Sequence, residues 1–104
     1  MNFSKEEFEN ATTIFLADEV KNLDHGTYVI GKIIKGSLSV WNKLICFSKD
    51  KKIIFRVKGI EKLNQTHLRR ANEGDIVGLK IKGINTNNIA QGDYFIIPGK
   101  TNRK

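Results

Sequence analysis

The chain has 104 residues, 39% of them apolar, and a formal net charge of +7 at pH 7. This length accommodates one domain with a modest core, and the supply of Ile, Val, Leu and Phe excludes wholesale disorder. No apolar run approaches the roughly 18 residues of a membrane-spanning helix. The acidic start "MNFSKEEFEN" also lacks the pattern of a signal peptide. We therefore expect a cytoplasmic protein.

The charge is unevenly distributed along the chain. Residues 1–20 carry one lysine against five acidic residues, for a net charge of −4. Residues 21–104 carry 17 Lys and Arg against six acidic residues, for a net charge of +11. A basic body favours an anionic partner, with nucleic acid first among the candidates. A solvated lysine-rich surface is the alternative explanation.

A short helix is the first predicted element. "SKEEFEN" places Ser4 three residues before Glu7, which is the spacing of a capping box and predicts a helix near residues 5–11. A helix this short is stable only when it docks on the body. We divide the chain into an N-terminal helical or flexible extension (1–12), a body (13–99) and a basic tail (100–104).

The body is predicted to consist of short strands separated by turns. Its β-branched and alternating segments are "TTIFLADEV", "TYVIGKIIKG", "SLSVWNKLICFS", "IIFRVKGIEKL", "DIVGLKIKGI" and "YFIIPG". The polar stretch "NQTHLRRANEG" is predicted to be a loop with one helical turn near residues 67–71. Many short strands and almost no helix favour an all-β sandwich or barrel, and a closed barrel leaves no exposed edges.

Two Gly-Asp pairs, Gly74-Asp75 and Gly92-Asp93, each end a loop and precede an apolar strand. Glycine supplies backbone freedom, and aspartate accepts hydrogen bonds from nearby backbone N–H groups. We therefore expect both pairs, together with Gly36, at corners of one barrel.

Three segments carry an ordered set of glycines: "GTYVIGKIIKGSLSVWNKL" (26–44), "EGDIVGLKIKGI" (73–84) and "NIAQGDYFIIPG" (88–99). They resemble the second domain of the translational GTPases, elongation factor Tu in particular. The matching positions are Gly26, Thr27, Gly31, Gly36, Gly74, Val77, Gly78, Gly83, Ile84, Gly92, Pro98 and Gly99. The resemblance spans residues 13–99 and implies a closed six-stranded antiparallel β-barrel, here as a stand-alone domain.

That resemblance also implies RNA as a partner. The second domain of elongation factor Tu helps to hold the aminoacyl end of tRNA, and other factors touch small-subunit ribosomal RNA. Glu61 matches a glutamate that contacts the tRNA end, whereas Asn64 stands where the family has an arginine. The missing arginine argues against aminoacyl-tRNA capture. Glu61 as a solvent-facing residue at a strand end is the alternative.

Catalytic and cofactor signals are lacking. The chain has no G-x-x-x-x-G-K-[ST] motif, so GTP binding by that machinery is not expected. His25 and His67 stand without an oriented partner for base catalysis, and their spacing does not suggest zinc. Cys46 lies in the apolar run "KLICFSK" and is interpreted as a small buried hydrophobe. We expect no enzymatic activity, no cofactor and no metal.

Strand alternation predicts which side chains face outward. Outward cations neutralise phosphates and an outward ring stacks on a base. The candidate RNA-binding residues are Lys32, Arg56, Lys58, Lys80, Lys82 and Tyr28 on the outer wall, with His67, Arg69 and Arg70 in the loop predicted over residues 62–72. A dispersed solvated face is the alternative, because the sequence does not show which strands are neighbours.

Tyr28, Ile30 and Ile34 form a predicted protein interface, because three outward apolar side chains on one strand require a cover. The N-terminal segment with Phe3 and Phe8, a second copy of the chain, or a partner protein would supply it. The first hypothesis is thus a non-enzymatic RNA-binding module that contacts ribosomal RNA or tRNA. The alternatives are a protein-interaction module or homodimer, and an accessory subunit of a larger complex.

Overall fold

The computed structural model describes residues 3–24 and 26–99. Helix α1 (Lys5–Asn10) comes first. The described strands are β1 (Thr13–Leu23), β2 (Gly26–Lys35), β3 (Ser37–Ser39), β4 (Lys43–Ser48), β5 (Lys51–Lys62), β6 (Gln65–Leu68), β7 (Arg70–Asn72), β8 (Ile76–Gly83) and β9 (Tyr94–Ile97), with a 3-10 helix (Thr86–Asn88) before β9. His25 and the predicted basic tail (100–104) lie outside the described residues. Across the described ranges, no helix has the length and apolar character needed to cross a membrane.

Six of these strands close into an antiparallel barrel, which confirms the predicted fold class. Hydrogen-bonded neighbours follow the order β4, β9, β1, β2, β8 and β5, and β4 pairs with β5 to complete the ring. Strand β6 continues the sheet beside the end of β5, whereas β3 and β7 form a separate two-stranded sheet. Each barrel strand is therefore paired on both sides, which protects its backbone N–H and C=O groups.

Phenylalanines from three strands fill the centre of the barrel. Phe15, Phe55 and Phe95 are at most 2% exposed. The Phe95 ring stacks on Phe15 at 5.4 Å between centroids and meets Phe55 edge-on at 4.8 Å. Aliphatic side chains from neighbouring strands complete the core, among them Val29, Ile33, Leu44, Val57, Leu79 and Ile81. The predicted inward alternation of β2, β5 and β8 is thus confirmed.

The Gly74-Asp75 pair forms the last two residues of a four-residue turn before β8. The Asp75 N–H donates to the Asn72 carbonyl at 2.9 Å, and Gly74 has a φ of +89°, as the third residue of a type II turn requires. Gly74 N–H also donates to Ile33 O at 2.8 Å. The Asp75 carboxylate accepts from Asn72 N at 2.8 Å and lies 3.1 Å from Lys62 Nζ. These two contacts hold the pKa of Asp75 below its usual value.

The Gly92-Asp93 pair repeats the same arrangement before β9. Asp93 N–H donates to Ala90 O at 3.2 Å, Gly92 has a φ of +91°, and Asp93 Oδ2 accepts from Ala90 N at 2.8 Å. Gly92 N–H donates to Ala17 O on β1, as Gly74 N–H does to β2. The expectation that both pairs are barrel corners is confirmed.

Residues 62–72 differ from the prediction. They form β6 and β7, not a loop with one helical turn. Ala71 is buried opposite Leu38 in the β3–β7 pair, and Leu68 lies opposite Ile60 at the end of β5. The prediction was wrong because this polar segment has no apolar alternation that would mark it as strand. Its β6 part forms a hairpin with β5, and its β7 part pairs with β3, which is distant in sequence.

Helix α1 has the predicted capping box, in which the Ser4 side chain accepts from Glu7 N and the Glu7 side chain accepts from Ser4 N. The N-terminal segment packs on the outside of β4 and β9. Phe3 meets Phe47 at 4.8 Å and Phe8 meets Tyr94 at 5.3 Å. It therefore does not provide the cover that Tyr28, Ile30 and Ile34 were predicted to need, and Ile34 remains 44% exposed.

Candidate nucleic-acid interface

Four of the predicted basic residues lie together on adjacent strands. Arg56 and Lys82 are directly opposite each other on β5 and β8, and Lys80 is opposite Gly59. The β5–β8 register shifts between Val57 and Gly59, so Lys58 is the extra residue of a β-bulge. The side chains of Arg56, Lys58, Lys80 and Lys82 are all exposed.

Lys43 joins this group from the next strand, which sequence reasoning did not predict. It lies directly opposite Arg56 on β4. Lys43, Arg56 and Lys82 thus form a row of like charges across three strands, and directly opposed like charges destabilise a sheet. Among the described residues, none of the three forms a salt bridge. We call Lys43, Arg56, Lys58, Lys80 and Lys82 the basic face.

Trp41 stands beside the basic face and was also missed. Its side chain is 57% exposed, and Lys58 Nζ lies 5.3 Å from the ring centroid, a cation–π contact. The Trp41 carbonyl accepts from Arg56 Nη1 at 2.9 Å. One signal was available in the sequence: Trp41 is a large aromatic residue in the turn between two predicted strands, where it does not fit the apolar alternation.

Two hollows border the basic face. One, of about 300 Å³, is lined by Trp41, Lys43, Arg56, Lys58 and Lys82. The other, of about 380 Å³, has Leu23, Thr27, Tyr28 and Thr86 along one side and Lys58, Lys80 and Lys82 along the other. A concave surface with a cationic rim can bind a ligand that combines negative charges with planar rings.

Tyr28 is opposite Lys80 and so borders the basic face, yet its ring is engaged within the sheet. Its hydroxyl donates to Glu61 Oε1 at 3.0 Å, and its Cζ lies 2.5 Å from the position a Cβ would take at Gly78. The ring therefore covers the glycine of the neighbouring strand. Burial, followed by the Glu61 carboxylate, raises the pKa of Tyr28. A stacking role for Tyr28 requires the ring to leave this position.

Glu61 is therefore half-buried and holds Tyr28, instead of projecting freely from a strand end. Asn64, which stands where the resemblance places an arginine, has a φ of +64° in the turn between β5 and β6. A left-handed backbone suits asparagine well. The structure thus gives both positions local roles within the barrel.

Lys32 is not part of the basic face. It lies four residues further along β2, opposite Ile76, in a separate hollow of about 330 Å³ that also contains Asp18 and Ile30. The three predicted interface residues also separate, because Tyr28 faces the basic side while Ile30 lines this second hollow. Ile34 is exposed beyond it.

His67, Arg69 and Arg70 lie on or between β6 and β7, and all three are exposed. Arg70 Nη2 donates to Ser37 Oγ at 3.0 Å, which orients this guanidinium along the small β3–β7 sheet. Val40 N–H donates to Arg69 O at 3.0 Å, so the Arg69 backbone is tied to the residue before Trp41. His67 belongs to β6, beside the far end of β5.

Chemically reactive groups are scarce in the described part of the chain. No group of three or more His, Cys, Asp or Glu there has the geometry to hold a metal ion. Cys46 is fully buried, and burial together with the nearby Asp93 carboxylate raises the pKa of its thiol to about 12. A thiol in this state is neither a nucleophile nor a metal ligand.

Cys46 is accordingly expected to resist thiol reagents in the folded protein. With a pKa of about 12, only about 10⁻⁴ of the thiol is ionised at pH 8. Labelling by a disulfide reagent at pH 8 should therefore follow global unfolding and become fast in urea. The control is a Cys46→Ala/Lys51→Cys variant, whose exposed thiol should react within minutes. Equally fast labelling of Cys46 without urea would contradict the buried position.

Comparison with known proteins supports the fold. No family model matches the chain. Its structure is similar to that of translation elongation factor SelB from Methanococcus maripaludis in the apo form, with a TM-score of 0.72 and 20% sequence identity. The match covers 93% of this chain and 20% of that one, so the chain spans about a fifth of the length of the elongation factor. The chain therefore has a translation-factor-like β-barrel fold, as the glycine pattern predicted.

Proposed function

We propose that the protein is a non-enzymatic, cytoplasmic RNA-binding module of the translation-factor type, which contacts ribosomal RNA or tRNA through the basic face. The observation that carries this proposal is the row of Lys43, Arg56 and Lys82 across three strands. Cations aligned in this way repel one another in the free protein, and phosphates of a bound chain relieve the repulsion. The fold similarity to an elongation factor is consistent with this partner, and function on this fold depends on the site it carries.

Reversing two charges of the basic face tests the proposal. We expect Lys80→Glu/Lys82→Glu to weaken binding to ribosomal RNA or tRNA by at least about tenfold, because two phosphate contacts become repulsive. The matched control is Lys49→Glu/Lys51→Glu, which makes the same charge change at the β4–β5 hairpin tip. Binding is measured by filter retention of labelled total tRNA and of purified ribosomal subunits.

Salt dependence distinguishes phosphate contacts from other modes of binding. If four or five cations contact phosphates, raising salt from 50 to 200 mM should weaken binding by roughly 50- to 500-fold. The salt response of Lys80→Glu/Lys82→Glu should be shallower, and that of the hairpin-tip control unchanged. Weak binding that neither variant alters would rule out the basic face as an RNA site.

A second candidate is self-association through the apolar hollow beside the other end of the β2–β8 pair. Leu16, Ile30 and Ile76 line it, and Ile76 is 65% exposed. Exposed apolar clusters favour protein contacts. Sedimentation of the protein over a hundredfold concentration range tests this candidate, with Ile76→Lys as the disrupting variant. A constant monomer mass would exclude a homodimer.

A further inference from the structure

The turn that contains Trp41 is a third copy of the Gly-Asp turn. Asn42 N–H donates to Ser39 O at 3.0 Å, and Asn42 Oδ1 accepts from Ser39 N at 2.8 Å. Trp41 N–H donates to Val57 O at 2.6 Å, and Val57 N–H donates to Asn42 O at 3.0 Å. Each of these four bonds has a counterpart in the turns at Gly74-Asp75 and Gly92-Asp93.

Trp41 thus occupies the position that glycine holds in the two other copies. Its φ is +77°, against +89° for Gly74 and +91° for Gly92. A bulky side chain rarely adopts this left-handed backbone conformation, which glycine adopts without strain. The fold therefore tolerates strain at one of three equivalent turns. The residue at the strained position presents an indole ring to the solvent. Strain of this kind at an exposed residue is a sign of function.

We propose that Trp41 is a platform on which an unpaired base of single-stranded RNA stacks, while Lys43, Arg56 and Lys82 hold the flanking phosphates. This inference rests on the proposed RNA-binding function and specifies its ligand. The Trp41 ring and these three cations line the same hollow, of about 300 Å³. An indole beside a cationic groove is the arrangement that binds single strands, because every unpaired base offers a flat face for stacking.

The exposed ring discriminates against duplex RNA. In a helix the base faces are covered by their neighbours, so a side chain outside the helix has no face on which to stack. The backbone of Trp41 is held at both its N–H and its carbonyl, by Val57 O and Arg56 Nη1, and the ring itself contacts Lys58 Nζ at 5.3 Å from its centroid. A preorganised ring loses little entropy when a base stacks on it.

Trp41 is the single tryptophan of the sequence, so its fluorescence reports directly on stacking. We expect quenching on titration with an unstructured ten-nucleotide RNA, and much less quenching with a blunt-ended RNA duplex that presents the same number of phosphates. Affinities of the variants are measured with the same RNAs carrying a dye, by fluorescence anisotropy.

Trp41→Gly is the decisive variant, because it makes the third turn match the other two. We expect it to weaken single-strand binding by about 5- to 150-fold, the usual range for the loss of one stacked base. Its melting temperature should equal or exceed that of the parent, since glycine removes the strain. Trp41→Phe keeps a ring and should bind within about threefold of the parent.

The outcomes separate this inference from the function on which it rests. Undiminished single-strand binding by Trp41→Gly, together with weaker binding by Lys80→Glu/Lys82→Glu, would overturn the stacking role and leave the RNA-binding proposal intact. Equal affinity of the parent for the blunt-ended duplex and the single strand would also overturn it. Failure of the parent to bind any of the RNAs would overturn both.

Discussion

Replacing Phe95 with alanine is expected to lower the free energy of unfolding by about 3–5 kcal/mol. The Phe95 side chain is fully buried and contacts the rings of Phe15 and Phe55 across the barrel. The substitution leaves a cavity, which will persist because the surrounding strands are hydrogen-bonded on both sides and cannot move inward independently. A domain of this size has about 5–15 kcal/mol of stability in total, so the variant should be close to unfolding.

Urea denaturation followed by circular dichroism measures the effect, and thermal melting should show a fall of more than about 12 °C. Tyr94→Ala is the matched control, because it removes the neighbouring aromatic ring on the same strand. Tyr94 points outward, is 40% exposed and contacts Phe8, so its loss should cost only about 1 kcal/mol. If Phe95→Ala cost no more than Tyr94→Ala, the barrel interior would not be packed as described.

Gly31→Ala is expected to cost about 3 kcal/mol although it adds only one methyl group. A Cβ at Gly31 would overlap the backbone carbonyl of Leu16 and come within 2.6 Å of Phe15 Cζ. Gly31 pairs with Ala17 where the β1–β2 register shifts. The carbonyl belongs to the barrel wall, so the methyl group fits only if β1 and β2 separate.

Gly59→Ala is the control for this prediction. A Cβ at Gly59 meets Lys80 Cδ at 3.6 Å, which is ordinary van der Waals contact. We expect its free energy of unfolding to change by less than about 1 kcal/mol, as measured by the same urea titrations. Similar losses for both variants would falsify the argument that the β1–β2 contact excludes a side chain at residue 31.

Four of the five residues of the basic face followed from the sequence. Alternation within β5 and β8 correctly placed Arg56, Lys58, Lys80 and Lys82 on one wall, since the period of a strand is a local property. Local alternation contains no information on strand neighbours, however. Lys32 was therefore grouped with residues from which it is separated, and Lys43 was overlooked.

The role of Tyr28 illustrates a second limit. The outward direction of its side chain was predicted correctly, but the prediction that its ring is free to stack on a base did not foresee that the ring is engaged within the sheet. The ring lies over Gly78 and bonds to Glu61, on two strands that reach it only when the barrel closes. Trp41 shows the converse case: Trp41-Asn42 stands where the resembled family often has Gly-Asp, but the left-handed backbone of Trp41 and its place beside the basic face require the folded barrel.

The sequence by itself determined the features that depend on neighbouring residues. Its alternation and glycine spacing specified the strands of the barrel, their inward and outward faces, both Gly-Asp turns and the barrel fold, and its capping-box spacing specified the helix. Only the tertiary structure decided which strands adjoin, where the N-terminal helix docks, that residues 65–72 form strands, and that four cations line one hollow with an exposed indole. Apart from the β5–β6 hairpin, these features depend on contacts between distant segments, which barrel closure creates and no local pattern encodes.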